Sequence, residues 1–281
     1  MNGQIPLRTP DNVSLASEEE FLLIQLSCAF FLLAALISLL FWFARKDGIG
    51  KVSLGVTILA TLCFTAALIY RYFNVGHIPY VQLYETYLFV AWSIAVIALI
   101  AVFSLKTRLP STIASILAGL TLIYIIQWPA TSREGVRLVP ALQSPWLDVH
   151  IATAFLSYAG FAISAVASAV YLVTRNEKVD ELSYRLVAFA FPLLGLGILL
   201  GAVWANEAWG RYWGWDPKET AALVTWLVYA GYLHARFTFG WKGTKASIFN
   251  LVGFACVLFT WLGLNLLNRW IETGSLHTYT I

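Results

Sequence analysis

The chain has 281 residues, 59% of them apolar and only 12% charged, with a formal net charge of +3 and a mean hydropathy of +0.74. Soluble domains are roughly half apolar and about a quarter charged, so this composition excludes a cytosolic enzyme, a disordered tail and a small disulfide scaffold. The net charge is too small to argue for a nucleic-acid partner, and Cys28, Cys63 and Cys256 stand singly in apolar runs with no Cys-x-x-Cys pair, which disfavours thiol-redox chemistry.

Residues 1–20 are polar, end in Glu18, Glu19 and Glu20, and read as a solvated arm before one transmembrane unit over 21–281. A helix needs about 20 apolar residues to cross a hydrocarbon core of roughly 30 Å. Runs of that kind lie near 21–44, 52–73, 84–105, 111–128, 150–174, 186–206, 219–238 and 246–267, which predicts an all-α polytopic membrane bundle of about eight spans. The first run is too long for a removed signal peptide and lacks its basic start and cleavage site, so it counts as a span. Connections one, three, five and seven carry Arg45, Lys46, Lys51, Lys106, Arg108, Arg175, Lys178, Arg185, Arg236, Lys242 and Lys245. The excess of basic residues there assigns these connections to the cytoplasm and both termini to the other side.

In chain order, His77 follows span two in VGHIPYVQLYE, His150 opens span five, and residues 204–220 form a tryptophan-rich loop that contains WGRYWGWDPKET. His234 lies inside span seven, and His277 lies in the tail within SLHTY. An interfacial aromatic belt would account for single tryptophans, but a belt scatters its rings around a bundle and here four fall within residues 204–215. Asp216, Pro217, Lys218 and Glu219 have the order of a helix start, with Asp as N-cap, Pro at the first helical position and a capping-box acid. Trp209, Trp213 and Trp215 beside Arg211 and Lys218 suit a flat apolar ligand with anionic edges, and haem fits: rings stack on the porphyrin, cations attract its propionates and imidazoles ligate its iron. Each histidine alone also reads as an ordinary interfacial residue. His234 differs, because an ionisable group within a span is costly; either it reaches the cytoplasmic headgroups near Arg236 or it marks a second, inner-leaflet iron site. Glu85, Asp148, Glu207 and Glu219 are separate acids that read as anchors or helix caps.

WGRYWGWDPKET, together with GHIPYVQLYE, VHIATAFLSYAGF, YLHARF and LHTY in that order, resembles the CcsA (ResC) family of cytochrome c biogenesis proteins over most of the chain. The DPKET ending and the tail histidine resemble CcsA more than its relative CcmC. The resemblance implies haem handling and presentation of haem b to apocytochrome c for covalent attachment to Cys-x-x-Cys-His thiols. It implies that His150 and His277 ligate iron in an outer site and that His234 serves an inner one, completed by a CcsB/ResB-like membrane partner. It also implies thiol-reducing thioredoxin-like proteins as partners, residence in a bacterial cytoplasmic or thylakoid membrane, and a place as subunit of a cytochrome c synthetase rather than a stand-alone enzyme. His77 lies in a family motif without an assigned role: ligand, propionate contact and loop brace stay open. Gln82 in place of Asn, Ala221 in place of an aromatic and LHTY in place of LHSY are mild departures. The competing readings are a membrane b-type cytochrome of electron transfer, a CcmC-like protein delivering haem to a chaperone and, more weakly, a solute transporter.

Overall fold

The computed structural model describes residues 17–136 and 138–270. Eight long stretches of helix run up and down: α1 (Glu18–Ala44), α2 (Asp47–Val75), α3 (Leu83–Leu105), α4 (Leu109–Ile126), α5 (Pro145–Thr174), α6 (Glu177–Trp209), α7 (Pro217–Thr238), and α8 (Thr244–Leu258), which continues through a π-helical turn (Phe259–Gly263) into α9 (Leu264–Trp270). Two 3-10 turns, Ala130–Arg133 and Pro140–Leu142, lie between α4 and α5.

The described chain has seven helices long and apolar enough to cross a membrane, and the protein is an integral membrane protein. The helix that falls short of that apolarity is α7, which carries Lys218, Glu219, His234 and Arg236. Its 22 residues still make it about 33 Å long at the standard rise.

Connection length divides the two ends of the bundle. Arg45, Arg175 and Lys106 close α1, α5 and α3 in the left-handed conformation, at φ 56°, 56° and 52°, so the chain reverses within two or three residues and each hairpin packs antiparallel. The connections at the opposite end, 76–82, 127–144 and 210–216, are longer. These are the short-turn end and the long-loop end of the molecule.

Helices in lipid associate through close packing and polar contacts rather than hydrophobic exclusion. Phe31, Phe64, Leu88 and Leu122 fill the centre of the α1–α4 half, and Phe161, Val187, Leu194 and Tyr229 that of the α5–α8 half. Ile94, Ile113, Phe155 and Trp261 join the two. Where α5 meets α6, a Cβ on Gly160 would lie 2.9 Å from Ala190 Cβ, so the backbones approach as only glycine allows. Asn250 Nδ2 on α8 lies 2.8, 2.8 and 3.1 Å from the Ser164, Ser168 and Ser183 hydroxyls, so its two hydrogens are shared among three acceptors.

The first helix starts earlier than the sequence reading. Ser17 caps it by accepting from Glu20 N at 3.2 Å, so Glu18–Glu20 form its first turn rather than the end of a solvated arm. Glu20 is buried because it accepts from Arg71 Nη1 at 2.9 Å, while Arg71 Nε donates to Glu85 at 2.9 Å. This triad fastens α1, α2 and α3 at the long-loop end. At the short-turn end, Arg236 of α7 donates to Asp180 of α6 at 2.8 Å.

Candidate functional site

A cleft opens at the long-loop end among α5, α6, α7 and the π-helical turn, with about 1120 Å³ of empty space counting its mouth. Its lining is chiefly aromatic and aliphatic, with a few polar groups converging on it, the usual character of a ligand site. Among the residues singled out in the sequence, His150, Trp213, Lys218 and Glu219 line it, as does Trp204.

His150 stands two turns short of Tyr158 on α5, with Ala154 between them on the same face, and all three line the cleft. At 1.5 Å per residue the lining therefore descends about 12 Å into the bundle. Trp261, carried by the π-helical turn, also lines the cleft and packs against Phe155 and Tyr87. A π turn adds a residue to one helical turn and re-aims the side chains beyond it, and such turns gather at functional sites.

The loop after α6 is held by its own helix start. Asp216 accepts from Lys218 N at 2.8 Å, and Glu219 Oε2 accepts from Gly214 N at 2.9 Å and Asp216 N at 3.2 Å. The Glu219 carboxylate thus bridges the two residues flanking Trp215, which sits in the left-handed region at φ 57°. A bulky side chain there costs about 1–2 kcal/mol. The ring is 70% exposed and meets Trp213 edge to face, with centroids 5.7 Å apart. Trp213 lines the cleft, whereas Trp215 is exposed and does not line it.

The remaining sequence candidates lie elsewhere. Trp209 ends α6 and packs against Trp204, 4.7 Å between centroids, in a small cluster with Tyr80 and Leu147. Arg211 is exposed, its guanidinium lying over Gly214, where a Cβ would come within 2.9 Å of Nε. His77 is buried away from the cleft, with Nδ1 2.9 Å from the Ile78 carbonyl and Nε2 3.1 Å from the Val136 carbonyl. His234 lies at the short-turn end, exposed on the bundle's surface, its ring edge-on to Phe239 at 5.4 Å. His277 lies outside the described residues.

Tyr80, Tyr158, Tyr212, Trp261 and Gly201 also line the cleft and were not singled out in the sequence. Tyr158 was within reach of pattern reasoning, eight residues from His150 on one helical face. Trp261 was not, because the π turn shifts its register. Tyr80 donates to Asp148 at 2.5 Å, and burial, followed by this carboxylate, pushes its phenol above the ordinary tyrosine range.

The sequence model of the family described as "Cytochrome C assembly protein" matches residues 80–272. The chain belongs to this family. It is 39% identical to the cytochrome c biogenesis protein CcsA of Chlamydomonas reinhardtii, covering 84% of this chain and 69% of that one. It is 35% identical to that of Microcystis aeruginosa over 89% and 94% of the two chains, and 34% identical to that of Synechococcus elongatus over 84% and 90%. These relatives make it a CcsA-family membrane protein of cytochrome c biogenesis. The solved structure of the cytochrome c heme lyase CcmF superposes with a TM-score of 0.69 at 20% identity, covering 97% of this chain and 52% of CcmF. The likeness is one of fold, and this chain spans about half the length of CcmF.

Proposed function

We propose that this CcsA-family chain binds haem b at the long-loop end of its bundle and presents it to apocytochrome c for covalent attachment, by the system II route with a CcsB/ResB-like membrane partner. The observation that carries the reading is the cleft itself. It gathers His150, Trp204, Trp213 and Lys218, up to 68 positions apart in the sequence, around one largely apolar, open-mouthed space.

The roles follow from the chemistry of the groups. His150 offers an imidazole nitrogen to iron, Trp204 and Trp213 offer flat walls, and Lys218 offers an ammonium to propionates. When bound, haem supplies the vinyl groups that apocytochrome thiols attack; this chain's residues orient it and limit water access. His277 is the second outer ligand in this reading. His234 sits about 27 Å along α7 from Asp216 and serves a separate site at the short-turn end, completed by the partner. The basic residues at the short turns set that end in the cytoplasm, so the termini, the tryptophan-rich loop and the cleft face the extracytoplasmic side, where thioredoxin-like proteins keep the substrate thiols reduced.

The test is purification with and without the partner, with absorption spectra of His150→Ala, His277→Ala and His234→Ala. Loss of the bound chromophore on changing either outer histidine supports the assignment, and unaltered spectra in both overturn it. Covalent transfer of the haem to added apocytochrome separates biogenesis from electron transfer.

A further inference from the structure

Gly197, Gly201 and Trp204 follow one another on α6 at intervals of four and three, so they share one helical face. That face meets His150 of α5. His150 Nδ1 lies 2.7 Å from the Gly197 carbonyl. A carbonyl oxygen only accepts, so Nδ1 carries a proton, and in the neutral ring Nε2 then carries the lone pair. A Cβ on Gly201 would lie 2.7 Å from both Nδ1 and Cε1 of the same ring, closer than real Cβ contacts come, so the imidazole occupies the space that any other residue at 201 would fill. The Trp204 indole runs nearly parallel to it, 14° between planes with centroids 6.4 Å apart.

We infer that Gly197, Gly201 and Trp204 form a seat on α6 that fixes the tautomer and rotation of the His150 imidazole, and that Gly201 is a positioning residue for iron ligation through Nε2. The inference rests on the haem-ligand reading of His150. Iron-ligating histidines commonly donate their second N–H to a carboxylate or a backbone carbonyl, and a carboxylate raises the ligand's basicity more. A neutral carbonyl behind His150 therefore orients the ring without strengthening its bond to iron as a charged partner would, which suits a site that must hand its cargo on.

Two measurements test the seat. In the haem-free full-length chain labelled with 15N-histidine, with the His150 signal assigned by its loss in His150→Gln, the wild type is expected to show the Nδ1–H tautomer and Gly201→Ala a mixture with Nε2–H. In the haem-loaded chain, Gly201→Ala is expected to lose roughly 10–100-fold in haem retention, with a shifted midpoint potential and an altered low-spin spectrum. Free imidazole should restore the spectrum both to His150→Gly and to the double variant with Gly201→Ala, because an untethered ring needs no seat. Gly55→Ala, where a Cβ meets nothing within 4 Å, controls for the added methyl. If His150→Gly keeps its haem spectrum, the ligand reading fails. If His150→Gly loses haem while Gly201→Ala matches wild type in both tautomer and spectrum, the seat fails. Should Gly201→Ala not accumulate, the wild-type tautomer decides, and an Nε2–H signal overturns the inference.

Discussion

Arg71 is 1% exposed yet charged, and its guanidinium answers two carboxylates from two other helices. Removing one partner of a buried set leaves uncompensated charge and costs about 3–5 kcal/mol. Arg71→Met is accordingly expected to lower the thermal unfolding midpoint sharply in detergent, and the further change of Glu20 and Glu85 to Gln should recover much of the loss. His77 has a comparable fastening role: its ring reaches the Val136 carbonyl, beside the segment that Arg133 holds through the Ile126 and Trp128 carbonyls. Under the proposed function, His77→Gln should loosen that connection, measured as faster proteolysis between α4 and α5, and leave the haem spectrum in place. Neither role was legible in the sequence. Glu20 lies 51 positions from Arg71, Glu85 14, and Val136 59 from His77, and a lone polar residue near a span boundary has the same pattern whether it faces water, iron or a carbonyl.

At the level of elements, sequence patterns carried further. The order Asp216-Pro217-Lys218-Glu219 marked a helix start, and α7 begins there with the capping box formed. What local order could not show is that Glu219 also secures the left-handed turn at Trp215. Asp216→Ala is expected to cost about 1 kcal/mol of stability. Trp215→Gly relieves a strained backbone, so under the proposed function thermal unfolding should hold or rise slightly while haem retention falls; a fall in both would mean that the ring serves stability alone. The connection before α3 adds a pH dependence. Burial and Asp148 hold the Tyr80 phenol above its ordinary value near 10, so the unfolded chain releases this proton first as pH rises. The contribution of Tyr80 to stability is complete below about pH 10 and is lost above it. Tyr80→Phe should reduce the alkaline slope of the unfolding midpoint.

For the whole molecule, eight apolar runs foretold the all-α bundle because span length is a property of the bilayer. They missed by a few residues at the ends, where caps such as Ser17 and the short left-handed turns decide. They also treated α7 as one span among equals, whereas its polar residues make it the helix that brings Lys218 to the cleft and His234 to the opposite end. The proposed orientation makes a direct prediction: in intact cells, a membrane-impermeant thiol reagent should label Trp215→Cys and spare Lys242→Cys. Reversed labelling would turn the bundle over.

The tight reversals at Arg45, Lys106 and Arg175 bear on how the protein is made. Each ties together two helices adjacent in synthesis, so the polypeptide can enter the bilayer pair by pair with local contacts forming first. The cavity draws on positions from Tyr80 to Trp261 and closes only when the final pair arrives. Under the proposed function, the haem pocket is therefore incomplete until α7 and the π-helical turn are in place.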